Sequence, residues 1–250
     1  MKQAVVVVSF GTSFPEAMPA IESIEQAVEK SCGQRIFRAF TSQFIRQKLK
    51  ERDGLTIPDP YSLFGQFIEQ GYTDILCLPT HIIPGIEYDR LCANAVQFPQ
   101  VRVARPLLWC EADYNVCVHA VMNSIPPRRN DEALVLMGHG TEHFANAAYC
   151  QLEHKFRTEG FPHVYVGTVD GYPSLSDIIP QLQANGIRKI ILMPFMIVAG
   201  DHARNDLSGD DPASWKSQLE ALGFETQTIC KGLGEIPEIA ERFAQHLSLI

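Results

Sequence analysis

The chain has 250 residues, 46% of them hydrophobic and 20% charged, enough apolar content for one large core or two modest ones. Its formal net charge of −8 argues against nucleic acid as a main partner, because phosphate contacts need a basic face. No run approaches the roughly 20 apolar residues of a membrane span, so no membrane partner is expected either.

Met-Lys-Gln leads straight into an apolar run of strand length, residues 4–9, with neither the longer apolar core nor the cleavage site expected of a signal peptide. Further strands are expected over residues 36–40, 74–78, 101–104, 133–137, 164–168, 189–193 and 225–230. Amphipathic stretches at 19–32, 60–70, 111–122 and 145–158 read as helices between them. This alternation predicts an α/β fold with parallel sheets flanked by helices. Gly71 and Gly186 each stand after a helical stretch and before a strand, where a helix commonly stops. Seven cysteines, an odd number without a C-x-x-C pair, fit free thiols in a reducing cytoplasm better than a disulfide framework.

The chain also repeats itself. D-I-L-C-L-P-T-H-I-I-P-G-I-E-Y-D from Asp74 aligns with K-I-I-L-M-P-F-M-I-V-A-G-D-H-A-R from Lys189. Pro79 then meets Pro194, Gly85 meets Gly200, and Glu87 meets His202, while Gly71 with Gly186 and Pro58 with Pro173 keep the same register. A second pairing sets S-F-G-T-S from Ser9 against G-H-G-T-E from Gly138, which places Phe10 opposite His139. Two copies of one α/β unit follow, an N-terminal lobe over 1–125 and a C-terminal lobe over 131–250. The Pro-rich polar segment I-P-P-R-R-N from Ile125 joins them.

In parallel α/β folds, ligands sit beyond the carboxyl ends of the strands, and between domains where there are two. His139 directly follows one expected strand, and His202 stands in the segment just after the apolar run that ends at Val198. A lone histidine in such a place is more often a packing or capping residue. Two of them at equivalent strand ends of one half, each replacing a different residue of the other half, point to a shared functional cleft. His139-Gly140-Thr141-Glu142-His143 matches the inverted zinc-peptidase pattern, but that chemistry needs both histidines on one helix, and here the first follows a strand. Gly138-His139-Gly140 fails as a dinucleotide fingerprint because His143 stands where the third glycine belongs. Gly232-Leu233-Gly234 reads as a turn, and the sequence holds neither a G-x-S-x-G nor a P-loop.

V-V-S-F-G-T-S from Val7, F-R-A-F-T-S from Phe37, M-G-H-G from Met137 and A-G-D-H-A-R-N-D from Ala199 together resemble the anaerobic-pathway sirohydrochlorin cobaltochelatases. These belong to the ATP-independent class II chelatases, whose bilobal fold is shared with protoporphyrin ferrochelatase. The resemblance runs nearly end to end, including S-W-K from Ser214 and G-L-G-E from Gly232. It implies a cleft between two similar lobes that holds a tetrapyrrole, with a divalent metal as substrate and no prosthetic group. His139 resembles the family histidine that holds the metal and accepts a pyrrole proton, and His202 the second histidine of that site. Glu87 resembles the acidic residue of the facing lobe implicated in proton removal or metal delivery. Asp170 stands where the family usually has Glu as a third metal ligand, and its side chain is one methylene shorter.

The residue types suit that chemistry. Metal insertion must strip water from a divalent ion and remove two N–H protons from the macrocycle. Imidazole suits cobalt(II), iron(II) and nickel(II), and carboxylate adds a harder, charged ligand. An incomplete set of two His and one Asp fits delivery better than a closed structural site. Sirohydrochlorin carries eight carboxylates, so an acidic protein needs local cations; Arg46, Lys48, Arg90 and Arg204 are the candidates, the first two expected to flank a helix near the cleft. His81 and His143 lie near the motifs without assigned chemistry, and His119, His154, His163 and His246 read as helix-face or surface residues. The alternatives are a sirohydrochlorin or porphyrin ferrochelatase or a nickel chelatase using the same histidines, and a tetrapyrrole or metal carrier without turnover. The sequence leaves the physiological metal and a homo-oligomeric state open.

Overall fold

The computed structural model describes residues 2–250. The first half runs β1 (Gln3–Ser9), α1 (Met18–Cys32), β2 (Ile36–Phe40), α2 (Gln43–Asp53), α3 (Pro60–Glu69), β3 (Asp74–Pro79), α4 (Ile86–Ala95), β4 (Val101–Val103) and α5 (Glu111–Ser124). The second runs β5 (Glu132–Gly138), α6 (Ala147–Thr158), β6 (Val164–Thr168), α7 (Leu175–Ala184), β7 (Lys189–Pro194), α8 (Trp215–Ala221), β8 (Glu225–Thr228) and α9 (Pro237–Leu247). Each half builds a four-stranded sheet, in the orders β2-β1-β3-β4 and β6-β5-β7-β8. Every pairing in both is parallel.

Local chemistry accounts for these elements. The central strands β1, β3 and β5 are near-continuous apolar runs because helices cover both faces, the usual pattern of a parallel sheet. Helix α3 starts on Pro60 behind Asp59, whose side chain accepts a hydrogen bond from the Ser62 amide at 3.0 Å. Helix α7 opens with Ser174 and Asp177 capping each other's backbone. Gly71 and Gly186 take left-handed φ values of 79° and 65° just after α3 and α7, as expected of helix stops.

Several boundaries move. Strand β8 ends at Thr228 rather than 230, and the stretch expected as a helix from 145 begins as a 3₁₀ turn, Phe144–Asn146, before α6. Arg46 and Lys48 lie inside α2 rather than flanking a helix, because the Ser42 side chain caps that helix just upstream. The segment joining the halves is not a free linker: Ile125 is buried, and Arg128 donates to the His163 carbonyl at 2.7 Å.

Each half lends its last helix to the other. Helix α9 packs on α1 and reaches β3, and α5 packs on α6 and α9. One core therefore contains Val5 and Val7 of β1, Leu134 and Leu136 of β5, and Phe243 of α9. Across this junction lies a buried charge cluster. Asp113 of α5 accepts hydrogen bonds from Nε of Arg242 and from Nε2 of His246, both on α9 and both at 2.7 Å. Its other carboxylate oxygen accepts the backbone amides of Trp109 and Cys110. Burial alone would raise the Asp113 pKa, but the bonds from His246, Cys110 and Arg242 outweigh it and hold the carboxyl well below the usual carboxylate range. His246, read as a helix-face or surface residue, lies on α9 but is fully buried, where it pairs with Asp113.

Candidate metal centre

In each sheet the chain steps to one side of the first strand and then to the other, so the switch point lies between the carboxyl ends of β5 and β7 in the second half. His139 follows β5 there, and His202 follows β7 after a short loop. Their rings stand 4.8 Å apart, centroid to centroid, and nearly perpendicular at 84°.

Asp170 reaches the same place along β6. Past the end of the sheet, the Val169 amide donates to the Gly138 carbonyl at 3.1 Å and the Asp170 amide to the His139 carbonyl at 2.8 Å. That close pairing needs Gly140, whose φ is +84° and where any side chain would strike the Asp170 carbonyl. The Asp170 carboxylate lies 3.9 Å from Nδ1 of His139, a loose pair with both side chains more than half exposed. Among the described residues no three His, Cys, Asp or Glu side chains form a closed metal-holding group. The arrangement is a histidine pair with a carboxylate alongside, open to solvent.

Both imidazoles are held in a defined tautomer. Nδ1 of His139 lies 3.1 Å from the Gly140 carbonyl, which can only accept, so Nδ1 carries the proton. Nδ1 of His202 lies 2.5 Å from the Asp206 carboxylate, which leaves the same assignment. Each ring then offers the lone pair of Nε2 to a metal or a proton. His202 opens a π-helical turn, Ala203–Leu207, a form frequent at functional sites. His143 lies at the N-cap of the following 3₁₀ turn, not on a helix shared with His139, so the peptidase arrangement is absent.

The N-terminal half comes close to this place. Glu87 lies in the first turn of α4, where its carboxylate pairs with Arg90 at 2.5 Å. Among the described residues it forms no hydrogen bond or ion pair with either histidine. Two residues on, Asp89 meets Nε2 of His143 at 3.3 Å across the two halves. A second bridge, Arg204 to Glu16 at 3.5 Å, crosses next to His202. Of the four basic candidates, Arg90 is engaged with Glu87 and Arg46 lies 3.8 Å from Asp59. Lys48 and Arg204, the latter also bridged to Glu16, converge on the Phe14 ring, 5.7 and 5.0 Å from its centroid. Phe10 and Phe44 are exposed aromatics on the N-terminal half, and Phe144 and Tyr172 on the C-terminal half.

Sequence reasoning missed Asp206 and the Asp89–His143 bridge. The i,i+4 spacing of His202 and Asp206 within D-H-A-R-N-D was a readable signal; nothing local pairs Asp89 with His143.

Known proteins add an independent line. The chain is 40% identical to a sirohydrochlorin cobaltochelatase of Salmonella typhimurium, over 99% of this chain and 96% of that one. It is 33% identical to the sirohydrochlorin cobaltochelatase CbiKC of Nitratidesulfovibrio vulgaris, over 99% and 90%. The fold is similar to that of SirB from Bacillus subtilis with Fe3+, with a TM-score of 0.65 at 16% identity, covering 99% of this chain and 95% of that one. The family profile described as cobalt chelatase (CbiK) matches residues 3–250, and with that full-length match the chain belongs to the CbiK cobalt chelatase family.

Proposed function

We propose that this protein inserts cobalt(II) into sirohydrochlorin, without ATP, in the cytoplasm, using a cleft between the lobes at 1–125 and 131–250. The observation that carries the reading is the paired histidines at the β5–β7 switch point, both with Nε2 left free, in a chain whose curated relatives carry the name sirohydrochlorin cobaltochelatase.

The chemistry needs three things of the residues. His139 and His202 offer imidazole nitrogens to a partly dehydrated cobalt(II), with Asp170 as a carboxylate ligand beside His139. The open set leaves room for the pyrrole nitrogens to replace water. Two pyrrole N–H protons must leave as the metal enters; an Nε2 lone pair released as the metal passes to the pyrrole nitrogens accepts one, and Glu87 of the N-terminal half takes part in passing protons to solvent. Lys48 and Arg204 meet carboxylates of the substrate, which offsets locally the chain's net charge of −8.

An anaerobic absorbance assay with sirohydrochlorin and cobalt(II), iron(II) or nickel(II) tests this. Faster conversion than the enzyme-free control, ranked highest for cobalt, is expected. A spectral shift on mixing protein and macrocycle, with no acceleration by any metal, would make the protein a carrier instead.

A further inference from the structure

We infer that Asp206 is a positioning residue for metal capture: it fixes the tautomer and orientation of His202 so that Nε2 meets the incoming cobalt(II). The inference rests on the proposal that His202 is a metal ligand. Three observations lead to it. The Asp206 carboxylate holds Nδ1 of His202 at 2.5 Å, and no other hydrogen bond to that ring is present among the described residues. The turn that spaces the pair is itself cross-linked, by Asn205 donating to Asp201 at 3.0 Å and the Ser208 hydroxyl donating to the Ala203 carbonyl at 2.7 Å. Ala203 and Leu207 anchor the turn in the core, both fully buried.

The physical consequence is specific to the metal. A neutral imidazole has two tautomers, and only the one protonated on Nδ1 presents Nε2 as a ligand. A carboxylate accepting the Nδ1 proton selects that tautomer before the metal arrives. It also strengthens as a partner once the bound cation draws electron density from the ring. Partners of this kind typically change metal affinity by about 10–100-fold. Nδ1 of His139 has a backbone carbonyl at hydrogen-bond distance and the Asp170 carboxylate only at 3.9 Å, so close charged support is confined to His202.

The test compares wild type, Asp206→Ala and Asp206→Asn. Cobalt(II) affinity is read on the protein alone by visible absorption, and KM for cobalt, KM for sirohydrochlorin and kcat are read in the anaerobic absorbance assay. Asp206→Ala is expected to weaken cobalt binding by about 10–100-fold and to raise KM for cobalt, with KM for sirohydrochlorin unchanged. Asp206→Asn, whose amide oxygen still accepts from Nδ1, is expected to recover part of the loss. Wild-type cobalt affinity in Asp206→Ala would overturn the inference, as would equal increases in both KM values alongside a lowered Tm. Failure of the chelatase reading would show separately, as wild-type protein that binds cobalt but does not accelerate insertion.

Discussion

The two halves of this molecule share a sheet order and differ in what they place at the switch point. After β1 the N-terminal half has Phe10; after β5 the C-terminal half has His139. Both are followed by a glycine with positive φ, Gly11 at 102° and Gly140 at 84°, so the backbone bend is common to the two. After β3 the chain enters α4, an ordinary helix in which Glu87 pairs with Arg90. At the matching place after β7 it enters the π-helical turn, where His202 pairs with Asp206. One scaffold thus carries an apolar and acidic wall in one half and a nitrogen-rich wall in the other. The fold supplies the position, and the side chains that differ at equivalent strand ends are those to which we assign the chemistry.

That contrast can be broken at its most chemical pair. His202→Ala is expected to lower cobalt insertion by roughly 10²–10⁴-fold, the range for removing a group engaged at the reacting centre. Glu87→Gln, at the matching position of the other half, should cost much less, because the Glu87 carboxylate pairs with Arg90 and not with either histidine. Initial rates with saturating sirohydrochlorin decide it. Equal losses would mean that the two walls share the metal chemistry evenly.

The halves must also act as one body, and the buried Asp113 cluster is the place to test that. Asp113→Ala leaves Arg242 and His246 facing a missing carboxylate and should cost about 3–5 kcal/mol of stability. Because one core spans both sheets, calorimetry should show a single transition at lower temperature; two separate transitions would show that the lobes unfold independently. The folded Asp113 pKa is depressed, so its contribution is present above the ordinary Asp value of about 3.9 and is lost as pH falls below it. The variant should lose that part of the acid sensitivity.

A smaller effect belongs to the N-terminal half alone. Both ring nitrogens of His81, in the loop after β3, are buried without a partner, and burial lowers its pKa from 6.5 to about 4. The unfolded chain then binds the proton more readily, so stability falls as pH drops from 6.5 towards 4, by up to about 3 kcal/mol at 1.36 kcal/mol per unit. His81→Phe should flatten the pH dependence of Tm in that window. An unchanged slope would place the acid sensitivity elsewhere.

Asp170 offers the finest adjustment. Asp170→Glu adds one methylene to the carboxylate beside His139 and should change the ratio of cobalt to iron insertion rates by a few-fold, with little change in stability. An unchanged ratio would place Asp170 outside metal selection.

Much of this was legible in the sequence, for identifiable reasons. Parallel strands buried on both faces leave unbroken apolar runs, so the central strands could be read to within about one residue; the half-exposed edge strands β4 and β8 were read to within about two. The histidines could be read because they interrupt a repeat at strand ends. The placement of α9 on α1 could not, since an amphipathic helix does not state which partner it covers. His246 shows the cost of that: on its own helix it looks like a polar-face residue, and only the exchanged packing buries it against Asp113. The Asp89–His143 bridge was invisible for the same reason, because its partners lie on different halves.

The central claim is that the C-terminal wall carries the metal chemistry and the N-terminal wall does not. The most direct measurement is the single-turnover rate of cobalt insertion into sirohydrochlorin by His139→Ala beside Phe10→Ala, the matching residues after β5 and β1. The account predicts that insertion is abolished in His139→Ala and slowed at most several-fold in Phe10→Ala, with both proteins folded. Wild-type insertion by His139→Ala, or equal loss in the two variants, would contradict it.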